Sequence, residues 1–378
     1  MKLYLIAGEA SGDRLGAALM AGLRDLHGDL IFQGIAGAAM QRQGMGSLFP
    51  MEALSVMGLA EILPRYFDLR ARIRQAAEDV LASGARALIT IDSPDFCLRV
   101  ARIVKARRPD LPIIHYVAPS VWAWRPGRAA RMAEVVDHVL ALLPFEPPYM
   151  TAAGMSCDFV GHPVVAEQLA SAGERAAFAG EGPLVLTLPG SRRGEVQRMA
   201  PVIGQVLARV KEAHPLARVA LPTVDGVAGL VAECSASWPI RPDIITDPAR
   251  KRGAFAAADV ALAASGTVSL ELAANDCAMV VGYRMNPLTM WLMQRMARID
   301  TVTLVNLVSE TSTIPEFLGR DCTAERIAPA LLTLLEPQAA VVQRDAMALT
   351  MKRLGKGGEA PGRRAARSVL DFLDHADP

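Results

Sequence analysis

The chain has 378 residues, 52% of them hydrophobic and 5% aromatic, which is more than one ordinary core takes and points to about two domains. Its 40 basic and 39 acidic residues leave a formal charge of +1, a balance that gives no support to general nucleic-acid binding, and no uncharged apolar run reaches the ~18 residues of a membrane span. The five cysteines are scattered, odd in number and free of CxxC spacing, so they read as reduced thiols of a cytoplasmic protein, and the opening Met-Lys enters a strand pattern without the order of a secretory signal.

The first strand pattern, residues 2–7, runs into the turn GEASGD and then a helix. Strand, tight turn and helix start is the usual layout for holding phosphate, because the helix end presents unpaired N–H groups and a positive dipole. Glu9 and Asp13, beside Ser11, would repel a phosphate, which leaves them to meet ligand hydroxyls or to cap their own helix. Further strand patterns at 30–35, 87–91, 112–117 and 138–143 are apolar throughout, as in parallel sheets covered on both faces. Between the second and third, Leu59, Ile62, Leu63, Tyr66 and Phe67 keep helical spacing around Pro64, following Val56 and Met57 and flanked by Arg65, Arg70, Arg72 and Arg74. Apolar and basic faces side by side fit either a core-facing helix or a surface touching anionic lipid. The rhythm restarts at 184–188 and continues at 218–221, 243–246, 260–264, 278–282 and 302–305. Repetition of this kind, performed twice, predicts an α/β protein of two doubly wound Rossmann-like domains facing a central cleft, with the boundary in the Gly-, Ala- and charge-rich segment 168–183.

Each informative motif follows a predicted strand, where open α/β sheets bind ligands. ALITIDSPDF places Asp92 and Asp95 past a buried strand, Asp92 as a candidate general base and Ser93 or Asp95 as a helix cap. HYVAPSVWAWRPGRAARM brings Ser120, Trp122, Trp124, Arg125 and Arg128 together as a wall with polar handles, or as packing. His162 in FVGHP fixes the crossover between domains or contacts a ligand. In LPGSRRGEV, Gly190 and Ser191 turn the chain and Arg192 with the helix end suits a pyrophosphate. Ser265, Gly266 and Thr267 repeat that construction, and Glu271 one turn later is placed to accept from ribose hydroxyls, so the two loops outline a nucleotide diphosphate site.

GEASGD, IDSPDF, YVAPSVWAWRPGR, FVGHP, LPGSRRGEV, SGTVSLE and VVGYRMNPLT through VNL, in this order, resemble the lipid-A-disaccharide synthase family over nearly the whole chain. The resemblance implies a GT-B glycosyltransferase of lipopolysaccharide biosynthesis, peripheral on the cytoplasmic face of the inner membrane. It would join UDP-2,3-diacylglucosamine to 2,3-diacylglucosamine 1-phosphate with inversion, releasing UDP, without a metal or another cofactor. Residues 1–172 would then take the acceptor and face the membrane, with Glu9, Ser11, Asp13, Ser120, Trp122, Arg125 and Arg128 toward the acceptor and Val56, Met57, Leu59, Ile62, Leu63 and Phe67 toward acyl chains. Residues 183–350 would hold the UDP-sugar through Gly190, Ser191, Arg192, Ser265, Gly266, Thr267, Glu271 and Asn306, with Asp92 as base and Arg192 on the departing UDP. The tail 351–378 would pack back on the first domain or be exchanged in a homodimer. The alternatives are another GT-B enzyme, such as a UDP-N-acetylglucosamine epimerase, and a non-catalytic UDP-sugar-binding regulator. A nicotinamide oxidoreductase is disfavoured, because neither Gly-rich turn reads GxGxxG with an acidic residue about 20 positions on.

Overall fold

The computed structural model describes residues 1–54, 59–284, 299–336 and 338–375, with backbone alone at 59–66. The chain divides into two compact units, one of Met1–Ala166 with Gly357–Pro378 and one of Glu167–Lys356.

In the first unit, β1 (Lys2–Ala7), β2 (Ile31–Ile35), β3 (Ala87–Ile91), β4 (Ile113–Tyr116), β5 (His138–Ala141) and β6 (Ser156–Phe159) form a parallel sheet in the order β2-β1-β3-β4-β5-β6. Every residue of β3 and β4 is buried, which is why those runs are apolar without alternation. The connections carry α1 (Ala10–His27), α2 (Ala38–Arg42), α3 (Leu59–Ser83), α4 (Pro94–Arg107), α5 (Gly127–Ala133) and α6 (Pro147–Thr151). Strand order reverses beside β1, so a crevice opens where the chain leaves β1 and β3 for opposite faces of the sheet.

The second unit begins with α7 (Ala172–Ala176) and alternates β7 (Leu184–Leu188), α8 (Arg193–Ala213), β8 (Arg218–Pro222), α9 (Asp225–Ser235), β9 (Asp243–Ile245), α10 (Pro248–Ala257), β10 (Val260–Ala263), α11 (Val268–Ala274) and β11 (Ala278–Tyr283). It continues with α12 (Leu304–Ser309), β12 (Glu316–Leu318), α13 (Ala324–Leu334) and α14 (Val341–Arg353). Its parallel sheet has the order β12-β11-β10-β7-β8-β9, with the reversal between β7 and β10.

Two segments depart from the sequence reading. The run at 302–305 is no strand: Leu304 opens α12, and the last strand is β12. A short apolar run fits either period, and here Glu316 decides it, its carboxylate accepting from the N–H groups of Val302 and Thr303 at the helix start. The segment 168–183 is not a free linker, because α7, held by a Ser171–Glu174 capping box, packs on α10 through the Glu174–Arg252 ion pair. The boundary falls instead at Ala166 and Glu167.

The tail forms α15 (Pro361–His375), which docks on α1 of the same chain. The two helices approach so closely at Gly22 and Gly362 that a Cβ on Gly22 would lie 2.6 Å from the Gly362 carbonyl oxygen. Buried polar contacts fix the register: Ser368 Oγ lies 2.8 Å from His138 Nε2 and donates to Asp158 at 2.6 Å, while Phe372 stacks on the His138 ring. Burial lowers the His138 pKa, which favours the neutral ring this network uses.

Candidate functional site

In the second unit the loops leaving β7, β8 and β10 enclose a cavity of about 360 Å³ at the strand-order reversal. Gly190, Ser191, Arg192, Ser265, Gly266, Thr267 and Glu271, all expected from sequence, line it. Thr223, on the loop after β8, and Lys251, on α10, line it too and were not foreseen, because they sit outside any Gly-rich turn. The Thr223 hydroxyl is buried without a partner among the described residues. Such a group favours a ligand that supplies its hydrogen bond.

The loop after β7 is built differently from a bare helix end. Glu195, 8% exposed, folds back so that its carboxylate accepts from Ser191 N at 3.2 Å and Arg192 N at 3.3 Å, with Tyr283 Oη donating at 3.2 Å. Glu195 thereby takes up the N–H groups of Ser191 and Arg192, so the turn before α8 is held by a carboxylate from the helix's own first turn. Gly190 makes the fold-back feasible: at φ +108°, a Cβ there would sit 2.5 Å from Glu195 Oε2. Two cationic side chains also line the cavity. Arg192 is 75% exposed and steered by Glu195 at 3.1 Å, and Lys251 Nζ pairs with Glu271 Oε2 at 2.9 Å. The ion pair occupies one oxygen of Glu271 and leaves the other for a neighbouring hydroxyl.

Asn306 is placed elsewhere. It lies on α12, 3% exposed, donating to Ile314 O at 3.0 Å and Thr301 Oγ1 at 3.2 Å and accepting from Ile314 N at 3.0 Å. Its amide is spent bracing α12 against the approach to β12, so the ligand contact expected of it is corrected to a structural role.

In the first unit the crevice beside β1 holds Asp92. Ser11 Oγ donates to Asp92 Oδ2 at 3.2 Å and Ser93 N to Asp92 Oδ1 at 2.8 Å, so a residue after β1 and one after β3 are joined across the reversal. Asp92 and Ser93 adopt φ of +55° and +44°, and Val117 and Arg125 on the loop after β4 adopt +87° and +51°. Four of the six non-glycine residues with positive φ among those described thus lie at the rim of one sheet. Strain of this kind persists where the surrounding structure over-determines it, commonly at ligand sites. Ser93 holds the N-cap position of α4 without a side-chain capping bond, and Asp95 is exposed in the first turn.

Asp13 is no ligand residue. It is 5% exposed and accepts from Gly37 N at 3.0 Å, Ala39 N at 2.7 Å and Met40 N at 3.0 Å, so it caps α2 rather than its own helix. Glu9 holds the exposed N-cap position of α1. On the loop after β4, Trp122 Nε1 donates to Glu146 at 3.2 Å, Arg125 stacks 4.4 Å over Trp124, and Ser120 is exposed with Arg128 half-buried. His162 accepts from Val164 N at 3.2 Å, and burial holds its pKa down at about 4, so it serves as a neutral brace at the chain crossover. Val56 and Met57 lie outside the described residues; Leu59, Ile62 and Leu63 are described as α3 backbone, and Phe67 is 79% exposed.

Two parallel six-stranded sheets, each with chemistry at its reversal point, define the GT-B class of glycosyltransferases and epimerases. The chain is similar over 99% of its length to a UDP-GlcNAc 2-epimerase from Neisseria meningitidis, solved bound to UDP-GlcNAc, with a TM-score of 0.67 and all of that chain covered. It is likewise similar to a glycosyltransferase from Rickettsia africae, with a TM-score of 0.59, covering 99% of this chain and 98% of that one. Both are only 12% identical, which speaks to fold alone. In sequence, a family model for lipid-A-disaccharide synthetase matches residues 3–368. Lipid-A-disaccharide synthases from Ruegeria pomeroyi and Rhodospirillum centenum are 57% and 46% identical, covering 99% and 98% of this chain and 96% and 94% of theirs. The chain belongs to the lipid-A-disaccharide synthase family, glycosyltransferases that form the lipid A disaccharide, and the epimerase alternative gains nothing from the distant likeness in fold.

Because Asp13 ties three backbone donors, Asp13→Ala should cost about 2 kcal/mol or more in urea unfolding while leaving the KM for both substrates unchanged. A raised acceptor KM in a variant of normal stability would return Asp13 to the binding site.

Proposed function

We propose that the second-unit cavity holds the UDP moiety of UDP-2,3-diacylglucosamine and that the rim of the first unit takes 2,3-diacylglucosamine 1-phosphate, with Asp92 as general base. The observation that carries this is Asp92 itself, a carboxylate fixed by Ser11 and Ser93 in a left-handed conformation at a strand-order reversal. Asp92 takes the proton of the acceptor 6-hydroxyl as that oxygen bonds to the donor's anomeric carbon. The bond from that carbon to UDP breaks on the opposite face, so configuration inverts and UDP leaves with the electron pair. Arg192 and Lys251, both lining the cavity, oppose the charge growing on the diphosphate, Thr223 and Thr267 offer hydroxyls, and the second oxygen of Glu271 receives a ribose hydroxyl. The cationic side chains are assigned the electrostatic work. Arg125 and Arg128 are assigned to the acceptor phosphate.

The same reading assigns the enzyme to the cytoplasmic face of the inner membrane. No described helix is long and apolar enough to cross a membrane. Support for a peripheral contact comes from α3 and α4, where five arginines, Arg70, Arg74, Arg99, Arg102 and Arg107, outnumber the one carboxylate, Glu78, in one groove. Arg107 pairs with Glu78 and Arg102 with Glu134, and exposed Phe67 lies one turn before Arg70. An aromatic wedge beside a guanidinium cluster suits an anionic bilayer, which is where acylated substrates reside.

Release of UDP from the donor should require the acylated acceptor, persist in EDTA, and fall by roughly 10²–10⁴ in kcat for Asp92→Asn while calorimetric UDP affinity stays as in the wild type. Near-normal kcat in the folded variant would remove Asp92 as base, and release without acceptor would indicate hydrolysis. The variant Phe67→Ser/Arg74→Glu/Arg99→Glu should lose about tenfold or more in binding to phosphatidylglycerol vesicles, and retained sedimentation of the folded protein would place membrane contact elsewhere.

A further inference from the structure

Glu146 belongs to none of the family motifs, yet it sits at the rim of the first sheet, 3% exposed, on the turn that leaves β5. One carboxylate oxygen, Oε2, accepts from Leu142 N at 3.1 Å and Leu143 N at 2.9 Å, which are the first donors past the end of the strand. The other, Oε1, accepts from Trp122 Nε1 at 3.2 Å. Trp122 also meets Phe145 edge to face, with centroids 5.1 Å apart. Indole N–H is a donor with no other hydrogen-bonding capacity, so the half-buried Trp122 needs an acceptor, and Glu146 is the one it has. Burying a carboxylate is costly unless it is fully engaged. Burial pushes the Glu146 carboxyl up to about 7, against three N–H donors that favour the charged form.

A loop that carries Val117 and Arg125 at positive φ does not hold its shape through local preference. Its one side-chain tether to the neighbouring strand end, among the hydrogen bonds described, is Trp122 to Glu146. Both residues of that tether are anchored in turn, Glu146 by the backbone leaving β5 and Trp122 by the ring of Phe145. We propose that Glu146 is a positioning residue for acceptor recognition, fixing the Pro119–Arg128 stretch through Trp122 so that Ser120, Arg125 and Arg128 are presented in one arrangement. The inference rests on reading that stretch as the acceptor-facing loop.

Four variants test it: Trp122→Phe, which keeps an aromatic ring and removes only the N–H donor; Glu146→Gln, which offers one acceptor oxygen where two are needed; their combination; and Arg125→Glu/Arg128→Glu. The expected result is an acceptor KM raised about tenfold in each single variant, the loss of one hydrogen bond to a charged group, with kcat and UDP affinity held and the double variant no worse than the weaker single. If Glu146→Gln does not fold, Trp122→Phe decides alone, because it leaves the Glu146 backbone contacts intact. An unchanged acceptor KM in Trp122→Phe, or single effects that multiply in the double variant, overturns the proposal. Should the arginine reversals raise acceptor KM while Trp122→Phe does not, Glu146 is merely structural and the loop assignment stands; if neither changes it, both fall. A shift in Trp122→Phe and Glu146→Gln without one in the arginine variant supports Glu146 and removes the arginines from the acceptor contacts.

Discussion

A parallel sheet covered by helices on both faces has its polar backbone groups paired along the strands and its side chains packed away, so chemistry is confined to the loops at the strand ends. Where strand order reverses, successive connections depart to opposite faces and leave a crevice that no helix fills. In this chain the constraint operates twice, beside β1 in one unit and between β7 and β10 in the other. The Ser11–Asp92 contact occupies the first reversal and the cavity carrying Arg192 and Glu271 the second. Fold and family membership together give a glycosyltransferase that makes the lipid A disaccharide, and the proposal assigns one half of that reaction to each crevice.

Loops at such places must be rigid without secondary structure, and the chain solves this repeatedly with carboxylates that accept backbone N–H groups. Asp13 does so for the start of α2, Glu146 for the turn after β5, Glu195 for the turn after β7 and Glu316 for the start of α12. Each takes up backbone donors that would otherwise need water. Seen this way, the acidic residues of GEASGD are compatible with a phosphate-rich reaction. One of them braces a helix start, and the proposal assigns the phosphates to arginine and lysine side chains elsewhere.

Much of the architecture was legible because buried parallel strands must be apolar on both faces, which the runs at 2–7, 87–91 and 184–188 show without ambiguity. The Gly-rich turns were legible for a related reason: a loop such as that at Gly190 has positive φ and no room for a Cβ. What the sequence hid depends on partners far along the chain. Whether 302–305 is strand or helix turns on Glu316, the burial of Asn306 on Ile314, and the role of Asp13 on Gly37, and none of these is a feature of local spacing. Lys251, Thr223 and Glu146 carry no motif because their identity matters only where three-dimensional packing brings them. Composition also misled at 168–183, where small and charged residues signal an exposed surface and not a disconnected one.

The central claim is that nucleotide and acceptor are read by separate rims, and hydrogen exchange of the full chain tests it most directly. Saturating UDP should slow exchange at 188–195, 222–224 and 264–271 and leave 8–13, 92–95 and 117–126 unchanged, while an acylated glucosamine 1-phosphate should slow exchange in the latter group. Protection by UDP at 8–13 and 92–95 without any at 188–195 and 264–271 would contradict the account.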